Sequence, residues 1–336
     1  MKQIFLIPPF LFFALILAAQ THWVNVDSLY QPLPASLNVF KSTEFIDGKP
    51  NVMYYAIADL KDKNLVFTSD TTMDRRITPS GFYEKNHQPL LVVNTSFFTF
   101  TTNQNLNVVI QNGKILSYNQ HSLAGKGKDT LTYRHPFFGA IGISKNRKAD
   151  VAWIFSDSSK KYVYASQTPV PFFKDSLENP GLKDVGRSIS TVAGNFTGKD
   201  QTPVPVFNKW KVRTAVGGGP VLVQNGEVSV SNDEELKFAG KAINDRHPRT
   251  AIGYTADDKL IVFVCEGRAE NAAGLSLVQL AKIMKEIGCV EALNLDGGGS
   301  TCMLINGKET NTPSSKGEQR QIPSVFLIES RNSNHL

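Results

Sequence analysis

GLSLVQLAKIMKEIGCVEALNLDGGGSTCMLING, residues 274–307, holds in one run the element types from which the rest of the chain is built. Ser276 is placed to cap a helix, and Gln279 three residues on can return the bond as a capping box. Leu277, Leu280, Ala281, Met284 and Ile287 recur at helical spacing, and Gly288 ends the run. The spacing predicts one clear helix over about 276–287. VEALNL then reads as a strand that ends in Asp296 and three glycines. CMLI returns as another strand, with Asn306-Gly307 as its turn. This order predicts an α+β chain dominated by mixed or antiparallel sheet, with that one helix and long loops.

The glycine corner admits two readings. No helix follows DGGGST and it lacks G-K-[ST], so it is not a Walker loop; nor does it have G-x-G-x-x-G spacing. It is either a bulge or sharp turn, or a loop whose backbone is bared to a ligand. In the second case Asp296 adds a carboxylate, and Ser300 and Thr301 add hydroxyls.

The same strand-and-turn pattern extends outward. VMYYAIADL and NLVFTS flank Lys61-Asp62-Lys63 and read as a hairpin. PLLVVNTSFFTF reads as a buried strand ending at Asn94. NVVIQNGKIL (107–116) is a hairpin at Asn112-Gly113, echoed by PVLVQNGEVS (220–229) and more faintly by CMLINGKET (302–310). FFGAIGISKNRKADVAWIF (137–155) is echoed by RTAIGYTADDKLIVFV (249–264). Hairpin followed by strand pair therefore occurs twice, through duplication or through convergence on favoured turn sequences. Residues 20–50 read as an irregular lead-in and 156–212 as long loops near a site. No Pro/Ser linker divides 51–330, which reads as one domain.

Residues 1–19 read as a secretory signal: Lys2, an apolar run from Ile4 to Leu17, then Ala18-Ala19. Pro8, Pro9 and the polar sequence that follows argue against an anchor, so a secreted or periplasmic protein without stable membrane insertion is expected. The formal charge of +6 is scattered, with pairs such as Arg75-Arg76 and Lys160-Lys161. That pattern gives no dense nucleic-acid patch and suits an anionic small substrate or surface polymer. Cys265, Cys289 and Cys302 are too few for a disulfide scaffold and lack zinc spacing; they read as buried thiols, with one bridge left open. Neither a metal nor a cofactor is implied.

Candidate chemistry gathers in five places. VRTAVGGGP (212–220) offers Arg213, Gly218 and Gly219. HPRTAIGY (247–254) offers His247, Arg249 and Thr250, and CEGRAE offers Glu266 and Arg268. NTSFF (94–98) offers Asn94. DGGGST offers Asp296, Gly297, Gly298, Gly299, Ser300 and Thr301. There is no G-x-S-x-G elbow and no His-rich cluster. Two carboxylates with several arginines suit cleavage at a sugar carbon bearing an anionic leaving group.

The series NTSFF, VIQNGK, RTAVGGGPVLVQNG, HPRTAIGY, EGR, GLSLVQLA and LNLDGGGSTCMLING resembles the phosphodiester glycosidase family, over about 50–330 and most strongly over 213–307. The resemblance implies hydrolysis of a sugar-1-phosphodiester at its glycosidic bond, giving free sugar and a phosphomonoester. It implies a sugar-phosphate or phosphorylated glycan as partner, and no nucleic acid. It carries over Asn94, Arg213, Arg249, Glu266, Asp296 and the 297–300 loop as site positions, with Asp296 and Glu266 as the catalytic carboxylates. The motifs add Thr250, Gly218, Gly219, Arg268 and Thr301 as substrate contacts. One departure stands out: the family's Asn-Gly-Gly-Phe-Phe reads Asn94-Thr95-Ser96-Phe97-Phe98 here, which leaves the sugar open. A non-catalytic envelope module that binds or helps assemble a phosphate-bearing polysaccharide is the alternative.

Overall fold

The computed structural model describes residues 20–125, 132–174 and 207–331. The signal reading of 1–19 and much of the loop expectation for 156–212 lie outside them.

Strands such as Lys259–Cys265 are apolar at almost every position because both faces are covered. Leu260, Val262 and Val264 enter the central core, while Ile261, Phe263 and Cys265 meet the helix on the other side. Ala149–Phe155 behaves the same way, with Val151, Trp153 and Phe155 inward and Ala152 and Ile154 outward.

Three large sheets wrap the central core, all with antiparallel neighbours. The first runs in space Val24–Asn25, Leu37–Ser42, Met53–Asp59, Lys259–Cys265, Arg249–Thr255, Cys289–Asn294, Val221–Gln224, Glu227–Val228. The second runs Asn208–Lys209, Tyr164–Ser166, Ala149–Phe155, Gly139–Ser144, Val212–Gly217, Val109–Gln111, Lys114–Ser117. The third runs Lys308–Glu309, Met303–Ile305, Leu91–Asn94, Ser324–Ser330, Leu65–Thr71.

The predicted helix forms as Leu277–Ile287. Ser276 and Gln279 complete the capping box and Gly288 closes it at φ 109°. A short helix, Pro79–Lys85, capped by Thr78, covers the outer face of the third sheet through Phe82. The three Asn-Gly turns adopt positive φ at both residues, at Asn112-Gly113, Asn225-Gly226 and Asn306-Gly307. Cys265, Cys289 and Cys302 are buried and unpaired.

Two expectations are corrected. Met53–Asp59 and Leu65–Thr71 do not pair; they enter different sheets. The Arg147 guanidinium holds the turn between them, binding the carbonyls of Leu60, Asp62 and Leu65. Residues 20–50 are not irregular throughout, because Leu37–Ser42 is an inner strand of the first sheet, with Leu37 and Val39 fully buried.

The repeat acquires a spatial form. In the second sheet, Val212–Gly217 lies between the 109–117 hairpin and the 139–155 strand pair. In the first, Cys289–Asn294 lies between the 221–228 hairpin and the 249–265 pair. Both inserted strands run on into a glycine triplet. Five strands thus follow the same order along the chain and the same order in space, twice. Convergent turns would reproduce the hairpins but not this strand order, so duplication is the reading it supports. The two glycine ends meet: the Gly219 N–H donates to Asn294 O (2.8 Å), and Asn294 Nδ2 donates to Gly219 O (2.8 Å).

Candidate active site

Asp296 emerges just beyond the Cys289–Asn294 strand. Its N–H donates to Thr95 O (2.8 Å), which fastens the loop to the third sheet. Below it, Asn94 is fully buried and both ends of its amide are hydrogen-bonded. Nδ2 donates to Asp296 O (2.5 Å), while Oδ1 accepts from Thr250 Oγ1 (2.9 Å) and Cys302 N (3.1 Å). Thr250 Oγ1 also lies 3.4 Å from Thr301 Oγ1. Asn94, Thr250 and Thr301, expected as substrate contacts, are therefore the buried post on which the loop stands. Thr95 and Ser96, the departure from the family pattern, are buried too. Thr95 Oγ1 donates to Ser324 Oγ (3.0 Å) and Ser96 Oγ to Phe97 O (2.8 Å), so these side chains face the protein.

The loop glycines make room for their neighbours, and part of the loop backbone is already bonded. The Gly298 N–H donates to Pro248 O (2.8 Å), Ser300 N–H to Gly297 O (3.2 Å) and Thr301 N–H to Gly298 O (3.3 Å). A Cβ on Gly297 would stand 2.7 Å from Pro248 O. One on Gly298, at φ +61°, would stand 3.2 Å from Arg268 Nη2, and one on Gly299 would stand 2.1 Å from Arg320 Nη2. Each glycine gives its side-chain space to a neighbour, and two of those neighbours are guanidinium groups.

Those arginines border the loop that follows Asp296. Arg268 is exposed, with Nη2 3.3 Å from His247 Nδ1. Arg320 Nη1 donates to Ser300 Oγ (3.4 Å), and its charge acts on Asp296. A third cation, Lys237, lies between the rings of Phe97 (3.8 Å) and Phe138 (4.4 Å), with Nζ 3.4 Å from Asn107 Oδ1. Desolvation pushes the Asp296 carboxyl up to about 6, against the pull of the Ser300 hydrogen bond, Arg320 and Lys237. Burial draws Lys237 down to about 8, against the pull of Glu235 and Asp296. Asp296 as a residue is partly exposed.

Glu266 ends the Lys259–Cys265 strand on the far side of Pro248. Gly267 and Gly297 both lack a Cβ where Pro248 passes, so the two loops enclose this proline. Glu266 is 8% exposed, and Oε1 accepts from Thr312 N (2.8 Å). Burial raises its carboxyl, while Thr312 and Lys41 oppose the rise.

Four candidates stand elsewhere or are otherwise engaged. Arg249 is buried, donating to Leu275 O (2.9 Å) and Asp245 O (3.0 Å), with its guanidinium drawn to about 10 by burial. It props the entry to the 249–255 strand. Gly218 and Gly219 bond through every backbone group: their N–H groups reach Gly139 O and Asn294 O, and their carbonyls accept from Asn107 and Asn294. A Cβ on Gly218 would lie 2.2 Å from Asn294 O, and one on Gly219 2.2 Å from Glu235 Oε2. Close packing, not ligand contact, requires them. Arg213 is exposed at the other end of the Val212–Gly217 strand, about 13 Å before Gly217 by strand rise.

Sequence reading missed Lys237, Arg320 and Glu235. Glu235 is fully buried, accepting from Gly139 N (2.9 Å), Val221 N (2.8 Å), Ser231 Oγ (2.6 Å) and Trp153 Nε1 (3.2 Å). Burial raises its carboxyl against those donors and Lys237.

The glycines separate two effects. Gly299→Ala meets only the far end of the Arg320 side chain, so it keeps the fold and loses turnover as the guanidinium is displaced. Gly297→Ala meets a backbone oxygen and lowers stability by about 1–3 kcal/mol. Thermal unfolding beside activity distinguishes them; a destabilised Gly299→Ala with normal specific activity refutes this reading of the loop.

A description of phosphodiester glycosidases matches residues 173–329. The mouse N-acetylglucosamine-1-phosphodiester alpha-N-acetylglucosaminidase is 31% identical over 121 residues, covering 32% of this chain and 23% of that protein. The human protein of the same name gives the same identity and coverage. An uncharacterized prophage-derived protein of Bacillus subtilis is 33% identical over 86 residues, 26% of this chain and 13% of that one. The matched stretch thus spans about a quarter or less of these relatives' length. Among solved structures, a hypothetical protein from Synechocystis shares the fold at TM-score 0.61 and 14% identity, over 88% of this chain and 62% of that one. The catalytic domain of the zebrafish N-acetylglucosamine-1-phosphodiester enzyme shares it at TM-score 0.55 and 20% identity, over 93% and 89%. With the quoted motifs from Arg213 to Gly307 lying in order within it, the stretch 173–329 belongs to the phosphodiester glycosidase family.

Proposed function

We propose that this protein is a secreted hydrolase that cleaves the glycosidic bond of a sugar-1-phosphodiester, releasing free sugar and a phosphomonoester. One observation carries the reading: Asp296, a partly exposed residue with its carboxyl pushed up to about 6, is acted on by the charges of Arg320 and Lys237, with Arg268 against the neighbouring Gly298. A carboxylate can attack the anomeric carbon or take a proton from water. The bond from that carbon to the phosphate oxygen then breaks, and the electron pair leaves with the phosphate. A phosphomonoester leaves as an anion, so fixed cations stabilise it with little need for proton donation. Arg268, Arg320 and Lys237 are assigned to the phosphate, and Glu266 to the second carboxylate as acid or electrostatic stabiliser. Extracellular placement rests on residues 1–19.

Incubation with UDP-N-acetylglucosamine in oxygen-18 water tests this. Free sugar labelled at its anomeric oxygen, with unlabelled phosphate, is the expected result. Sugar 1-phosphate with labelled phosphorus products, or binding without turnover across a panel of sugar-1-phosphodiesters, rejects it.

The same groups set a pH profile. Asp296 acts as the anion, so the rate falls as pH drops through about 6. Lys237 acts as the cation, so the rate falls as pH rises through about 8. A bell-shaped kcat/KM between these limits is expected. In Lys237→Met the alkaline limb moves or disappears; an unaltered limb removes Lys237 from the assignment.

A further inference from the structure

Six cations that look scattered in sequence are gathered by the fold at one place, and Asp296 is not there. Two adjoining cavities, of about 320 and 370 Å³, share Lys145 and Arg213 as walls. Arg331 lines the first; Lys161 and Lys211 line the second. Lys209 reaches the same rim, with Nζ 5.0 Å from the Tyr162 ring centroid. These six cations are exposed and, among the described residues, enter no ion pair. No Asp or Glu lines either cavity. Nearby carboxylates are engaged elsewhere: Asp150 accepts from Trp210 Nε1 (2.5 Å) and Gln167 Nε2 (3.1 Å), Asp62 from Ser36 Oγ, and Asp59 pairs with Lys259. Arg147 forms the floor, its guanidinium already committed to three carbonyls.

Like charges held this close repel one another and raise the free energy of the folded chain. Surface cations ordinarily alternate with acids. A run of six that spans two connected grooves is the footprint of an elongated anion whose charges repeat along its length.

We infer that this groove binds a linear polymer bearing phosphate groups. A single phosphate would engage two or three of the cations and leave the others unpaired. A single-stranded nucleic acid would need open aromatic faces for its bases. Of the aromatics lining the two cavities, Phe67 and Trp210 are buried, and Tyr162 has Lys161 (5.6 Å) and Lys209 (5.0 Å) over its ring. Glycan phosphates, polyol phosphates and inorganic polyphosphate share the required chemistry. The inference is independent of the reaction assigned to Asp296, because no residue of that site lines the groove.

The test uses the full mature chain and the variant Lys145→Gln/Lys161→Gln/Lys211→Gln, with Lys49→Gln/Lys63→Gln/Lys282→Gln as a charge-matched control. Affinity for inorganic polyphosphate, for poly(glycerol phosphate) and for neutral dextran is measured across salt concentrations. The parent binds both phosphate polymers and not dextran. The groove variant loses about tenfold or more in affinity, and its salt slope falls by about 2, in line with three lost contacts. The control variant stays at the parent value in affinity and midpoint, and the groove variant unfolds at or above the parent midpoint, because repulsion within the cluster is relieved. Binding of one phosphate polymer but not the other identifies the source. Equal losses in groove and control variants, tighter binding of oligo-dT than of either phosphate polymer, or binding to phosphatidylglycerol vesicles alone each overturns the inference.

Discussion

Asp296→Asn lowers turnover of a sugar-1-phosphodiester by at least about a thousandfold while the protein keeps its unfolding midpoint. The amide matches the carboxylate in shape, and it still accepts from Ser300. It can neither attack carbon nor take a proton from water. Stability holds or rises, because burial already disfavours the charged form of this group: its carboxyl stands at about 6, above the ordinary value. Glu266→Gln also lowers turnover, by about a hundredfold or more, since a buried acid or stabiliser contributes on that order. A folded Asp296→Asn protein with full turnover ends the assignment.

Glu235→Ala is the largest expected loss of stability. The change strips a partner from the Gly139 and Val221 amides, the Ser231 hydroxyl and the Trp153 indole, all buried. It also leaves the Lys237 ammonium without the carboxylate that favours its charge. Leaving four buried donors without their acceptor and a nearby ammonium without its counter-charge costs about 3–5 kcal/mol, or on the order of 10 °C in Tm for a chain of this size. Calorimetry of Glu235→Ala, Lys237→Met and the double variant separates the terms. The double variant recovers part of the loss, because the unpaired ammonium is gone. An unchanged midpoint in Glu235→Ala means that this network does not support the fold.

The sequence is legible where the physics is local. Asn112-Gly113, Asn225-Gly226 and Asn306-Gly307 need positive φ, and few other residue pairs supply it, so the hairpins could be placed. The Ser276 box and Gly288 mark a helix for the same reason. Lys61-Asp62-Lys63 misleads because a turn does not tell which sheet receives each strand. That is decided by Arg147, more than 80 residues away. Leu37–Ser42 carries the alternation of a strand, masked by Asn38 and Lys41 within it.

The site divides along the same line. Asp296 and Glu266 stand at strand ends before glycine, and that is visible in sequence. Lys237 and Arg320 are lone cations in polar loops; only packing against Phe97, Phe138 and Gly299 brings them to Asp296. Arg213 misleads in the opposite direction: a motif neighbour of Gly218, it is carried away by four residues of extended strand. The glycine triplets announce close approach, but not what approaches.

The doubled five-strand unit bears on how such a site arises. One copy presents the acid, Asp296, beyond its inserted strand. The other, at its matching end, offers no acid but Gly217–Gly219, interlocked with Asn294 of the first. The carboxylate is thus backed by its sister's counterpart loop, and neither half alone encloses it. A single unit would have to meet a second copy of itself, on another chain, to form the same seat. Fusing both onto one chain frees the halves to diverge, so that one keeps the chemistry while the other becomes its support.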